Sequence, residues 1–199
     1  CDYCGCTFVL SGSVQQEKRS LVPIPPNMSI VIQEGKFTLT YRWKSTMGIV
    51  LIIFGCFFFF FSLFWTSIAF YGGGLFGLFG VSFILFSVFL IYMGIAYTVN
   101  QTIISIRDQH LAIYFKPLWW PGAKNMNVKE IAQLFVQRKE YQNKGNATYF
   151  YHVVALLKGN RSLPLVKMIQ EPEIARCIEQ QIERFLGIKD VPIPGESKL

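Results

Sequence analysis

The chain has 199 residues, 52% of them hydrophobic and 16% charged, with a mean hydropathy of +0.35, a net charge of +7 and a pI near 9.2. That balance excludes a disordered chain, a collagen-like fibre and an ordinary soluble domain. From Ser45 to Ile106, 62 residues contain no Asp, Glu, Lys, Arg or His, and 13 of the 19 phenylalanines fall there. Outside that window the basic excess is spread out, with no run of like charge longer than two. A nucleic-acid partner would need a clustered basic face. Membrane lipid is the expected partner instead, through attraction to anionic headgroups.

In chain order, Cys1-Asp-Tyr-Cys4-Gly5 opens the first segment, residues 1–10. The glycine lets the backbone fold so that amides point at the two thiolates. The pattern resembles one knuckle of a zinc ribbon, a partial site. The resemblance implies structural zinc in the full-length chain, held by Cys1 and Cys4 with the remaining ligands upstream. Cys6 is an imperfect third ligand and no fourth lies nearby, so no cofactor is expected in this fragment. A redox dithiol, a lipidated N-terminal cysteine and unliganded thiols are the alternatives. Residues 11–27 are polar, then proline-rich at Pro23, Pro25 and Pro26, and read as a linker.

Residues 28–44 read as a β-hairpin. Met28–Ile32 alternates, Gln33-Glu34-Gly35 signals a turn, and Phe37, Leu39, Tyr41 and Trp43 alternate with Thr38, Thr40 and Arg42. Two apolar stretches follow, 47–71 and 75–97, each long enough to cross the hydrocarbon core as a helix. Gly72-Gly73-Gly74 permits the reversal between them. Lys36, Arg42 and Lys44 precede the first span, Arg107 and Lys116 follow the second, and the glycine turn carries no charge. The positive-inside rule therefore places both termini in the cytoplasm. Gly74, Gly77 and Gly80, then Ser82 and Ser87, offer either loose lipid-facing glycine or a packing face for a partner's helices.

Residues 98–187 read as strands over 99–106, 111–115, 131–140, 149–158 and 163–169, then a helix opened by Pro172 and closed by Gly187. Ile174, Cys177, Ile178, Ile182, Phe185 and Leu186 form its apolar stripe. Residues 188–199 form a tail that resists regular structure. Seven strands closed by one amphipathic C-terminal helix, with a membrane hairpin inserted, resemble the bacterial membrane-flanking PH-like domain proteins. The fold class expected is thus membrane α+β, a two-helix transmembrane hairpin inserted into a β-rich PH-like barrel. The resemblance implies a binding or scaffolding module; a split α+β sheet is the alternative.

Leu118-Trp119-Trp120-Pro121-Gly122 is the other marked motif. Adjacent tryptophans cannot both face one side of a strand, so at least one is expected at a surface, inserted in the headgroup layer or in a docking contact, or else covered by another element as a core tryptophan beside a covered turn. Lys116 and Lys124 flank the pair and suit headgroups. His110, in a turn, and His152, in a strand, read as structural or solvated. No nucleophile with a base, phosphate loop or paired carboxylate is visible. The function expected is a non-enzymatic accessory, assembly or scaffold protein docked on a larger integral membrane complex, in a bacterial inner membrane or a thylakoid. Histidine-free, Phe-rich spans allow a photosynthetic complex as that partner. A lipid- or ligand-sensing module and a Cys-dependent redox or metal protein are the alternatives.

Overall fold

The computed structural model of the chain describes residues 21–191, apart from 44, 74, 144, 145, 160 and 190. The fold is mixed α+β with two antiparallel sheets and three helices. β1 (Met28–Gln33), β2 (Lys36–Arg42), β3 (Gln101–Arg107), β4 (His110–Lys116) and β5 (Lys124–Asn127) form one sheet in sequence order. β6 (Ile131–Asn143), β7 (Asn146–Leu157) and β8 (Ser162–Ile169) form the other. α1 (Thr46–Gly73) and α2 (Leu75–Val99) are inserted between β2 and β3, and α3 (Pro172–Leu186) follows β8.

Local chemistry explains most of these elements. Glu34 and Gly35 turn β1 into β2 with φ of 48° and 74°, and Asp108 and Gln109 turn β3 into β4 with φ of 48° and 66°. Two successive left-handed residues give a reversal whose twist matches that of the strands. Pro172 stands in the first turn of α3, and Gly187 at φ 65° ends it, its N–H donating to the Glu183 carbonyl. One core joins both sheets and this helix. Phe37, Leu39, Ile104, Ile106, Leu111 and Ile113 come from the first sheet, Leu134, Val136, Val153 and Leu165 from the second, and Ile174, Ile178 and Ile182 from α3. Phe185, in the last turn of α3, lies 5.0 Å from Phe37 between ring centres. β6 and β7 run on past the last residue of β8, which pairs at Tyr151↔Ile169, with Arg138 over the Tyr149 ring at 4.1 Å.

The strands number eight among the described residues, one more than the alternation implied. The added one is β5, Lys-Asn-Met-Asn, which has no apolar alternation and exists because its backbone pairs with β4. α2 continues to Val99, so β3 begins at Gln101 rather than at residue 99.

At 1.5 Å per residue, α1 and α2 are about 42 and 38 Å long, against a hydrocarbon core of about 30 Å. Both are long and apolar enough to cross a membrane, and only 17% of the most apolar window of each is buried. A soluble core helix of that composition would be mostly covered. The two helices pack on small residues. Gly48, Gly55, Ser62 and Thr66 of α1 are buried, as are Gly77, Gly80, Ser87 and Gly94 of α2. A Cβ on Gly94 would lie 2.8 Å from the Gly48 carbonyl oxygen and 2.9 Å from the Ile52 nitrogen. The interval is seven residues along each helix (48, 55, 62 and 80, 87, 94), the repeat of left-handed helix packing. Ser62, Thr66 and Ser87 donate their hydroxyls to carbonyls of their own helices, so none reaches the surface unsatisfied.

Candidate functional site at the helix–sheet junction

β2 and β3 are paired neighbours, so the chain leaves the sheet at Arg42 and returns at the partner residue, Gln101. The ladder continues one step into the junction, where the Trp43 N–H donates to the Asn100 carbonyl at 3.0 Å. Asn100 is 1% exposed. Its own N–H donates to the Ala96 carbonyl in the last turn of α2. Its side-chain amide takes both backbone groups of Leu118, accepting from the N–H at 2.9 Å and donating to the carbonyl at 3.2 Å. One residue therefore ties α2, β2 and the loop after β4, with its backbone and side-chain groups all engaged.

Aromatic rings close around this node. The Trp43 ring centre lies 6.2 Å from Tyr97, 5.6 Å from Phe115 and 5.3 Å from Trp120, and Tyr97 lies 5.2 Å from Trp120. The Trp43 indole N–H donates to the Thr102 hydroxyl at 2.8 Å, which satisfies the one polar atom of that side chain. Trp119 and Trp120 diverge, as adjacent residues must: Trp120 joins the collar, while Trp119 is 75% exposed. The Tyr92 hydroxyl donates to the Trp119 carbonyl at 2.6 Å. Tyr92 lies seven residues before the end of α2, about 10 Å up its axis, so Trp119 is held against the flank of the helix.

The remaining expected site residues separate. Lys116 is exposed, with its ammonium 5.5 Å from the Tyr114 ring centre, and a cis bond joins it to Pro117. Lys124 is half-buried, and burial first, then the positive charge of Lys167, push its ammonium pKa down. Gly77 is buried, and a Cβ on it would meet the Phe70 ring of α1 at 2.7 Å. Cys1, Cys4 and Gly74 lie outside the described residues. His110 is exposed at the head of β4. His152 is buried in β7, where burial, then Lys139 and Lys167, hold its pKa below the usual imidazole range.

Of the junction residues, sequence reading missed Asn100 outright and took Trp43 and Arg42 only as part of a strand alternation and of the flanking charge. Asn100 offered one signal, a bare amide where an apolar helix meets a strand. Among the described residues, no group of three or more His, Cys, Asp or Glu converges in a way that could hold a metal. What the junction offers is recognition chemistry: a cation, amides and aromatic edges beside two apolar helices. No protein-family model matches the chain, and no curated protein matches it.

Proposed function

We propose that the chain is a non-enzymatic, membrane-anchored scaffold that docks on a larger integral membrane complex as an accessory or assembly subunit. One observation carries the reading: the helical hairpin is inserted between two paired strands and sealed by the Trp43–Tyr97–Phe115–Trp120 collar. An anchor on a flexible tether would let its domain wander; this one sets the height and tilt of the β domain on the bilayer. The order of a strand meander, a three-stranded sheet and a closing C-terminal helix over one core supports a PH-like domain. Arg42 and Lys116 at the junction support a cytoplasmic position for the domain, in a bacterial inner membrane or a thylakoid. Cys1 and Cys4 would contribute two thiolate ligands to a structural zinc site. Native electrophoresis after mild-detergent extraction tests the scaffold role. Co-migration with a much larger complex is expected, and a clean monomer from native membranes would sink the idea.

A second reading, a lipid-sensing module, draws on Trp119. A tryptophan so exposed, fixed by its backbone beside α2, belongs at the headgroup level. Brominated lipids should quench its emission in a chain whose other three tryptophans are replaced by Phe. Absence of quenching would remove this reading.

A further inference from the structure

We infer that the junction holds a binding site for the phosphodiester of an anionic phospholipid, with Arg42 and Lys116 as cationic ligands and Gln101 between them. The inference rests on the membrane-anchored reading. A cleft of about 380 Å³ opens there, lined by Arg42, Trp43, Thr98, Val99, Asn100 and Gln101; Lys116 stands beside it with its ammonium 5.5 Å from the Tyr114 ring centre, and swings toward Gln101 to reach a ligand. The register places Arg42 opposite Gln101 and Gln101 opposite Lys116. Directly paired residues share a face, and Phe37 and Leu39 give the other face of β2 to the core. Arg42, Gln101 and Lys116 thus form a row across three strands on the outer face, at the edge where the helices depart. Two strand spacings separate the cations by about 10 Å at Cα, within reach of one phosphate for two long side chains.

Charge is sorted along the strands. Between Met28 and Asn127 the acids are Glu34 and Asp108, and both sit in the turns at the opposite end. Glu171 acts on Tyr41, whose side chain belongs to the core-facing row rather than to that of Arg42. Among the described residues, neither Arg42 nor Lys116 forms an ion pair. Among the described residues, no carboxylate occupies the planar fork of Arg42, the geometry that grips phosphate oxygens in pairs. A phospholipid fits better than free phosphate because Val99, 46% exposed, gives the cleft an apolar wall that continues up α2. Asn100 cannot rotate toward the ligand, since its amide is held by Leu118, so it forms a fixed floor.

The test uses the full chain in nonionic detergent, titrated with dihexanoyl phosphatidylglycerol, dihexanoyl phosphatidylcholine or inorganic phosphate, with bound ligand counted by native mass spectrometry. Phosphatidylglycerol should bind saturably and more tightly than phosphatidylcholine. Arg42→Gln combined with Lys116→Gln should weaken it about tenfold or more. Lys36→Gln combined with Arg107→Gln removes the same charge from the far ends of β2 and β3 and should leave binding within about twofold. Equal loss in the two double variants, or full retention in the first, overturns the site. Inorganic phosphate competing at equal concentration overturns the lipid as its source. The unsubstituted chain supplies a second measure: raising salt to about 0.5 M should weaken binding strongly, and salt-independent binding overturns the ionic contact. Alkaline carbonate extraction is scored separately. A chain stripped from vesicles defeats the anchored reading, whereas a retained chain without phosphatidylglycerol preference defeats only the lipid site.

Discussion

At the scale of single residues, the junction depends on groups that have no water to fall back on. Asn100→Ala would leave the N–H and carbonyl of Leu118 without these partners in a half-buried position. The expected cost is about 2–3 kcal/mol, read as a lower denaturation midpoint of the detergent-solubilised chain. A change below about 0.5 kcal/mol would mean that the loop after β4 is held by the rings alone. His152 makes a different demand. Its Nε2 is buried without a partner among the described residues, and its pKa is depressed by burial and by Lys139 and Lys167. The folded state therefore binds fewer protons than the unfolded one once pH falls below the unfolded value of about 6.5. Stability is fully present above that pH and is lost as pH drops toward the depressed folded value. Thermal midpoints between pH 8 and 5 should fall for the wild type and less for His152→Phe; identical slopes would remove His152 as the cause. Cys177 sits on the same core as a small apolar residue, its thiol pKa pushed up by burial.

Among the elements, the helix pair gives the sharpest contrast. A side chain at Gly94 would press on the backbone of α1, whereas a Cβ on Gly72 meets nothing within 4 Å. Gly94→Leu should therefore cost about 1–3 kcal/mol and part the helices, while Gly72→Ala is harmless. Unfolding of both variants in one detergent compares them, and equal midpoints would disprove the packing. The sequence displayed this interface in a form easy to misread. Counting Gly74, Gly77 and Gly80 by threes suggests a weak outward face, whereas Gly48, Gly55 and Ser62 against Gly80, Ser87 and Gly94 repeat by sevens on both helices. The spans, the two-residue turns and α3 were legible because each is written in local periodicity and end residues. β5 was not, because Lys124–Asn127 is a strand only through its partner. The junction was legible in part: Trp119 and Trp120 stood out, but their divergent roles depend on Asn100, Tyr92 and Trp43, brought together only by long-range pairing.

At the scale of the whole molecule, α1 and α2 are each able to cross a membrane, and β2–β3 pairing then requires both ends of the hairpin to lie on one side of it. In a chain with its native cysteines replaced, Tyr71→Cys should react with an impermeant thiol reagent from one side of sealed vesicles and Lys36→Cys from the other. Labelling of both from one side would refute the crossing. The inserted hairpin also bears on biosynthesis. As the polypeptide emerges, the first β-hairpin must wait: its neighbour β3 does not exist on the same side until the second helix has come back. If only one helix integrates, β2 and β3 are stranded on opposite sides and the five-stranded sheet cannot assemble. In a membrane, folding of the β domain would thus be conditional on correct integration. A mis-inserted chain would display an open strand edge and an uncovered core.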